Sequence, residues 1–187
     1  MTKLFALLPT LFALLTCLPA PWALGPAFAQ SESSALEVDA LKAAYVFNFL
    51  KYTTWPETLS PRSGALSICL LDVYPALARE MLALNDRSLA GRRVVVRNVA
   101  MKEAEAAACH LTVVGADRVT QALAALAGGN SLLVSDAPDF VRRGGMIGLF
   151  VTDGRLKFEI NPASLSNTAF TLDSRLLGLA QKSRREP

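Results

Sequence analysis

The chain has few side chains that could carry out catalysis. His110 is the only histidine, and it directly follows Cys109. A cysteine and a histidine can form a nucleophile and its general base. However, adjacent residues on a strand point to opposite faces of a sheet, and residues 109–114 have strand character. We therefore interpret His110 as a structural residue and rank a hydrolase or thiol enzyme as the least favoured class of function.

Other motifs that could form a site are better explained as structural features. The segment Ser135-Asp136-Ala137-Pro138 resembles a serine site, but a strand end that caps a helical turn accounts for it. The pairs Gly128-Gly129 and Gly144-Gly145 are typical of turns. The sequence contains no G-x-S-x-G, G-x-G-x-x-G or Walker motif and no helical pair of metal ligands. We expect no catalytic residue, no metal and no cofactor.

The first 29 residues have the pattern of a secretory signal peptide. They contain a single charge, Lys3, then an apolar run over residues 4–15 and the A-x-A segment Ala27-Phe28-Ala29. An uncleaved membrane anchor is the alternative, but prolines interrupt the apolar run before the roughly 20 residues that a spanning helix needs. We predict cleavage after residue 29, which leaves residues 30–187 as one exported domain.

The charge pattern argues against a nucleic-acid partner. The formal net charge is +3 at pH 7, and it falls to +2 when Lys3 leaves with the signal peptide. The basic residues are scattered, apart from a short group at residues 182–185. No continuous basic surface is predicted, so we expect no nucleic-acid partner.

Helices and strands alternate along most of the chain. Apolar residues at three- and four-residue spacing predict a first helix over residues 36–52. The predicted strands are 66–71, 93–99, 109–114, 131–135, 146–152 and 155–161. The main predicted helices after the first are 75–84, 102–108, 117–126 and 174–181. This order predicts an α/β fold with a mostly parallel central sheet, helices on both faces and an added C-terminal antiparallel hairpin.

Two cysteines, Cys69 and Cys109, remain after the signal peptide is removed. An even number in an exported protein favours a disulfide, and the alternative is a pair of buried free thiols. Consecutive β-α units commonly place their first strand between the second and the third. Cys69 and Cys109 would then lie on neighbouring strands. We predict a disulfide between them, which would contribute about 4 kcal/mol to stability.

The Asp153-Gly154 turn determines which residues of the C-terminal hairpin share a face. A two-residue turn pairs Gly148 with Glu159 and places Phe150 on the same face. The opposite face is wholly apolar, includes Ile147, and is predicted to be core. The face with Phe150 and Glu159 is either an ordinary solvated surface or a recognition patch, and the pattern alone favours the solvated surface.

Several segments together resemble the YfiR family. Lys42-Ala43-Ala44-Tyr45-Val46-Phe47-Asn48-Phe49, followed by Trp55-Pro56, resembles the family's opening KAAFLYNFAKFVEWP. Further family landmarks occur in the same order: Ile68-Cys69, Cys109-His110, Val134-Ser135-Asp136, Gly144-Gly145-Met146-Ile147, Lys157-Phe158-Glu159-Ile160-Asn161 and the closing helix from Ser174 to Ala180. Each segment is short, but their order and spacing over residues 41–180 are specific.

The resemblance implies a periplasmic repressor of a membrane-bound diguanylate cyclase. Such a repressor binds the periplasmic region of an inner-membrane GGDEF-type cyclase and thereby connects envelope or redox state to cyclic-di-GMP signalling and biofilm formation. An OmpA-like outer-membrane lipoprotein is implied as a second partner, and a homodimer as the assembly. In better-studied members folding depends on a disulfide that matches Cys69–Cys109.

The resemblance also implies a partner-binding surface. The matching positions here include Ile147, Glu159 and Leu165, to which the hairpin face adds Phe150. The hairpin pattern buries Ile147, so the two predictions conflict unless Ile147 lines a half-open pocket at the strand end. A periplasmic small-ligand-binding module is the alternative function, and it would require a concave apolar pocket with a few polar groups.

Overall fold

The computed structural model describes residues 27–57, 64–102, 109–126 and 128–181, with side chains from residue 34 onward. Most of the predicted signal peptide, most of the predicted helix over 102–108 and the basic residues 182–185 lie outside these ranges. The helices are α1 (Ala27–Lys51), α2 (Pro75–Leu82), α3 (Val119–Leu126), α4 (Pro162–Leu165) and α5 (Ser174–Leu179). The strands are β1 (Thr53–Thr54), β2 (Leu66–Leu71), β3 (Ser88–Leu89), β4 (Arg92–Val99), β5 (Leu111–Val114), β6 (Leu132–Ser135), β7 (Ile147–Thr152), β8 (Arg155–Ile160) and β9 (Thr171–Leu172).

Seven strands form a mixed sheet in the order β3-β4-β2-β5-β6-β7-β8. The four pairings from β4 to β7 are parallel, and the two outermost pairings are antiparallel. The predicted parallel centre and the predicted antiparallel hairpin of β7 and β8 are therefore present, whereas the antiparallel pairing of β3 with β4 at the other edge is not predicted by the sequence. Helix α2 leads from β2 to β4, and α3 leads in the opposite direction from β5 to β6. Right-handed connections consequently place these two helices on opposite faces of the sheet.

The central strands are buried on both faces, which explains their continuous apolar sequences. All residues of β5 and β6 are buried, and Ser67 is the only residue of β2 that is not. Helix α1 packs on this sheet through side chains that include Val46 and Phe49, both fully buried. Buried residues of α2 and α3 belong to the same core cluster, so the core extends over both faces of the sheet.

Helix α1 begins earlier than its apolar pattern predicts, at Ala27 instead of residue 36. No proline or glycine occurs between residues 27 and 51, so nothing in the chain interrupts the helix. It ends at Lys51, and the next residues form β1, which pairs with β9 in a small antiparallel sheet. The sequence does not predict these two strands because two residues show no periodicity.

The hairpin of β7 and β8 has the predicted register. Gly148 pairs with Glu159, and Phe150 pairs with Lys157. Asp153 and Gly154 have φ angles of 53° and 68°, as a type I′ turn requires. The apolar face is buried except at Val151, which is 52% exposed. The prediction that the whole face is core is wrong at this position, because Val151 lies beside the turn, where the hairpin extends past the core.

Cys69 and Cys109 form a disulfide in the structure, with a Cα–Cα distance of 5.9 Å. The predicted strand order is confirmed, since β2 lies between β4 and β5. Cys69 is on β2, and Cys109 lies two residues before β5. Both residues are fully buried, so the bridge is part of the core.

Candidate functional site

The outer face of the hairpin borders an open groove of about 670 Å³. We call this the hairpin groove; its other wall is the loop that follows β6. The charged residues that line it are Asp136, Asp139, Arg142, Asp153, Lys157 and Glu159. Phe150 also lines it and is half-buried. The structure therefore brings Phe150 and Glu159 together on one concave surface.

Gly148 forms part of the floor of the hairpin groove. A Cβ atom at this position would lie 3.2 Å from Cγ2 of Val141 and 3.4 Å from both Cγ and Oε1 of Glu159. The space above Gly148 is thus occupied by the side chains of Val141 and Glu159. The missing side chain allows Glu159 to lie across the groove floor.

The Glu159 carboxylate has no hydrogen-bond or ion-pair partner among the described residues. Burial raises the pKa of Glu159; the positive charge of Arg142 opposes the shift, and the negative charge of Asp139 adds to it. Arg142 forms an ion pair with Asp139, and Lys157 lies 3.8 Å from Asp153. Glu159 is therefore a half-buried acceptor in a groove whose cations lie close to other carboxylates.

Two other predicted site residues do not line this groove. Ile147 is 0% exposed and belongs to the core cluster. Its side chain lies where the hairpin pattern predicts, and it offers no surface for direct contact with a partner. Leu165 is on α4 and is half-buried against the core. The exposed part of the predicted surface consists of Phe150 and Glu159.

Next to the groove is a partly buried polar cluster, the Lys42 cluster, which the sequence does not predict as a whole. The Nζ atom of Lys42 lies 2.8 Å from Oδ2 of Asp136, 3.1 Å from Oδ1 of Asp39 and 2.8 Å from the hydroxyl of Tyr74. Burial lowers the pKa of Lys42, but the hydrogen bonds to Asp136 and Tyr74 outweigh burial, so the pKa is raised overall. Lys42 stays protonated and holds α1 against the loop that carries Asp136.

The sequence contains features that predict part of this cluster. Asp39 and Lys42 are three residues apart on one helix face. Asp136 directly follows a parallel strand, where polar side chains of α/β proteins often collect. The pairing of Lys42 with Asp136 spans 94 residues, and no local pattern connects residues at that distance.

His110 lies in a second polar cluster, beside the disulfide. It is 1% exposed, and its Nδ1 atom lies 3.1 Å from the backbone nitrogen of Ser67 and 2.9 Å from the Ser67 hydroxyl. The Trp55 ring meets it edge to face, with 5.2 Å between the ring centroids. Burial, assisted by the charge of Arg92, lowers the pKa of His110 to about 4. The neutral ring already accepts a hydrogen bond, and Cys109 is in the disulfide, so the two residues do not form a nucleophile–base pair.

In ranges 27–57, 64–102, 109–126 and 128–181, no three histidine, cysteine or acidic residues are grouped as a metal site would require. Within the same part of the chain, no helix has both the length and the apolar character to cross a membrane.

A protein family described as YfiR/HmsC-like matches residues 39–181 of the chain. The matched region includes the hairpin groove, the Lys42 cluster and the disulfide. No curated protein matches the chain.

Proposed function

Because the chain belongs to the YfiR/HmsC-like family, we propose that it is a periplasmic regulatory protein that represses an inner-membrane diguanylate cyclase. The family match over residues 39–181 is the observation that carries this proposal. The protein would bind the periplasmic region of a GGDEF-type cyclase and connect envelope or redox state to cyclic-di-GMP. Export would depend on residues 1–29 as a cleaved signal peptide, leaving residues 30–187 as the functional domain.

The hairpin groove is the proposed docking surface for the cyclase. Phe150 supplies an aromatic anchor of the kind that dominates interface energetics. Glu159 supplies a carboxylate that a cationic side chain of the partner would neutralise. Both residues are on paired strands, so little conformational entropy is lost when they bind.

Repression requires that the protein prefer the inactive state of the cyclase. A ligand with equal affinity for two states shifts no equilibrium, and a preference of a few kcal/mol is enough to shift it strongly. One or two well-placed anchors can supply that preference. A small groove is therefore sufficient for the proposed role.

The proposed role is binding without catalysis. Cys109, the candidate nucleophile, is in the disulfide, and His110, the candidate base, is buried and neutral. An OmpA-like outer-membrane lipoprotein is the proposed second partner, which would capture the protein and release the cyclase. We also propose a homodimer, as the family resemblance implies.

Substitution of Glu159 by lysine tests the docking surface. Glu159→Lys should raise cyclic-di-GMP to the level of a strain without the protein, because the new charge repels the partner's cation. Both cyclic-di-GMP and the periplasmic abundance of the variant are measured. Glu37→Lys is the matched control, since it makes the same change at an exposed position of α1 and should leave repression intact.

The outcomes separate the docking surface from the function itself. Full repression by Glu159→Lys at normal abundance would place the docking surface elsewhere. Loss of the variant protein would mean that Glu159 supports the fold. Pull-down of membrane proteins with the unsubstituted mature chain tests the function, and failure to recover a GGDEF-type cyclase would contradict it.

A further inference from the structure

A second cavity of about 580 Å³ lies between α1, β8 and α5. We call it the edge cavity, because β8 is the last strand of the sheet. Its aromatic lining comes from Tyr45, Phe49, Tyr52 and Phe158. Three of these rings pack on one another, with centroid distances of 6.1 Å for Tyr45–Phe49, 5.8 Å for Tyr45–Phe158 and 5.1 Å for Phe49–Phe158. One wall of the cavity is therefore formed by packed aromatic rings.

The charged residues that line the edge cavity are both cations, Lys157 and Arg175. Arg175 is held by Asp173, with nitrogen–oxygen distances of 3.0 Å and 2.8 Å. Lys157 lies 3.8 Å from Asp153, whose side chain is 85% exposed. The ion pair of Lys157 is long and solvated, so it contributes little. Lys157 lines both the edge cavity and the hairpin groove, so its ammonium group is available at the border between them.

The volume and the lining of the edge cavity match those of small-molecule sites. Such sites measure about 300–1,000 Å³ and combine an apolar wall with a few polar groups. We propose that the edge cavity binds an amphipathic monoanion, a small molecule with an apolar body and one carboxylate that pairs with Lys157. The aromatic wall would contact the apolar body. The lining contains no carboxylate, and Asp153, which pairs with Lys157, lies outside it with its side chain 85% exposed.

Helix α5 forms the cover of the edge cavity and is weakly attached. Leu176 is its only buried residue, whereas Leu177 is 45% exposed and Leu179 is 73% exposed. Segments with few buried contacts open at low free-energy cost. Opening of α5 therefore provides a route by which a ligand can enter.

The edge cavity and the hairpin groove share two lining residues, Lys157 and Gln181. An anion paired with Lys157 would neutralise one of the positive charges that line the hairpin groove together with Glu159. An effect of the ligand on partner docking would depend on the proposed function. Binding of the ligand to the edge cavity does not depend on it.

Isothermal titration of the purified mature protein with octanoate and with octan-1-ol tests the proposal. The two probes share an apolar chain and differ in charge. Octanoate should bind saturably at one site, and Lys157→Gln should weaken octanoate about fivefold while leaving octan-1-ol unchanged. Asn48→Trp should abolish binding of both probes, because residue 48 is exposed on α1 and lines the cavity.

Ala44→Trp is the matched control, since it adds the same ring at an exposed position of α1 outside the cavity. It should bind both probes like the unsubstituted protein. Absence of saturable octanoate binding by the unsubstituted protein would overturn the proposal. Octanoate binding that survives Asn48→Trp, or that Lys157→Gln does not weaken, would overturn it as well. These titrations contain no cyclase, so their failure leaves the proposed function untouched.

Discussion

The disulfide region and the hairpin groove differ in whether their polar side chains have hydrogen-bond partners. Beside Cys69–Cys109, the buried His110 ring accepts a hydrogen bond from Ser67 and packs against Trp55. In the hairpin groove, the Glu159 carboxylate has no partner in the described part of the chain. A buried polar group with its partners in place supports a fold. A half-buried acceptor without one retains capacity to bind another molecule, so we assign stability to the first region and recognition to the second.

The largest effect on stability is expected at the disulfide. Cys69→Ala should lower the free energy of unfolding by about 4 kcal/mol, because the bridge closes a loop of about 40 residues. Denaturant unfolding of the purified variant measures this loss. Cys109→Ala and the double variant should show the same loss, since either change removes the whole bridge. Two titratable thiols in the unfolded, unreduced exported protein would contradict the pairing.

The next largest effect tests whether stability and recognition are separate. Lys42→Met should cost roughly 3 kcal/mol, because it leaves the buried carboxylate of Asp39 and the half-buried carboxylate of Asp136 without their cation. Lys51→Met, at the exposed end of α1, should cost less than about 0.5 kcal/mol. Asp136 also lines the hairpin groove. A loss of stability in Lys42→Met would therefore show that one wall of the groove also supports the fold. Equal stability of the two variants would contradict the role of the cluster.

A smaller effect concerns pH and the His110 cluster. The folded protein holds the pKa of His110 at about 4, below the value of about 6.5 for an unfolded chain. Between these values the unfolded chain binds more protons, so the unfolding free energy falls as pH decreases from 6.5 to 4. Between pH 6.5 and pH 4, the unfolding free energy should fall by about 2 kcal/mol more for the unsubstituted protein than for His110→Gln. Parallel stability curves for the two proteins would contradict the shifted pKa.

The same variant also tests the absence of catalysis. Folded His110→Gln should repress cyclic-di-GMP production normally, because the ring is buried and already accepts a hydrogen bond from Ser67. Loss of repression by a fully folded variant would reopen the interpretation of His110 as a catalytic residue.

The smallest effect on stability is expected at the hairpin groove. Glu159→Lys should change the unfolding free energy by less than about 0.5 kcal/mol, because Glu159 has no partner to lose among the described residues. Thermal or denaturant unfolding measures the change. A loss of 2 kcal/mol or more would mean that both regions support the fold, and the contrast between them would fail.

Local patterns predict the parts of the structure that depend on neighbouring residues. The Asp153-Gly154 pair determines the register of β7 and β8, because a two-residue turn leaves no freedom in the pairing. The continuous apolar sequence of β2 predicts a strand buried on both faces. Long-range contacts are a different matter. The pairing of Lys42 with Asp136 and the pairing of β1 with β9 join segments that are far apart in the sequence, and no local periodicity predicts them.

An isolated parallel β-bridge joins Glu159, on strand β8, to Gln181, and it has a consequence for the behaviour of the protein in concentrated solution. Strand β8 is the last strand of the sheet. An uncovered edge strand can pair with a strand of another chain and start aggregation. The backbone nitrogen of Gln181 donates to the carbonyl of Phe158, and the hydroxyl of Tyr45 donates to that of Leu156. These contacts occupy the edge that a second chain would use. Truncation before Gln181 should therefore promote aggregation, whereas a purification tag fused after Gln181 leaves the protective contact in place.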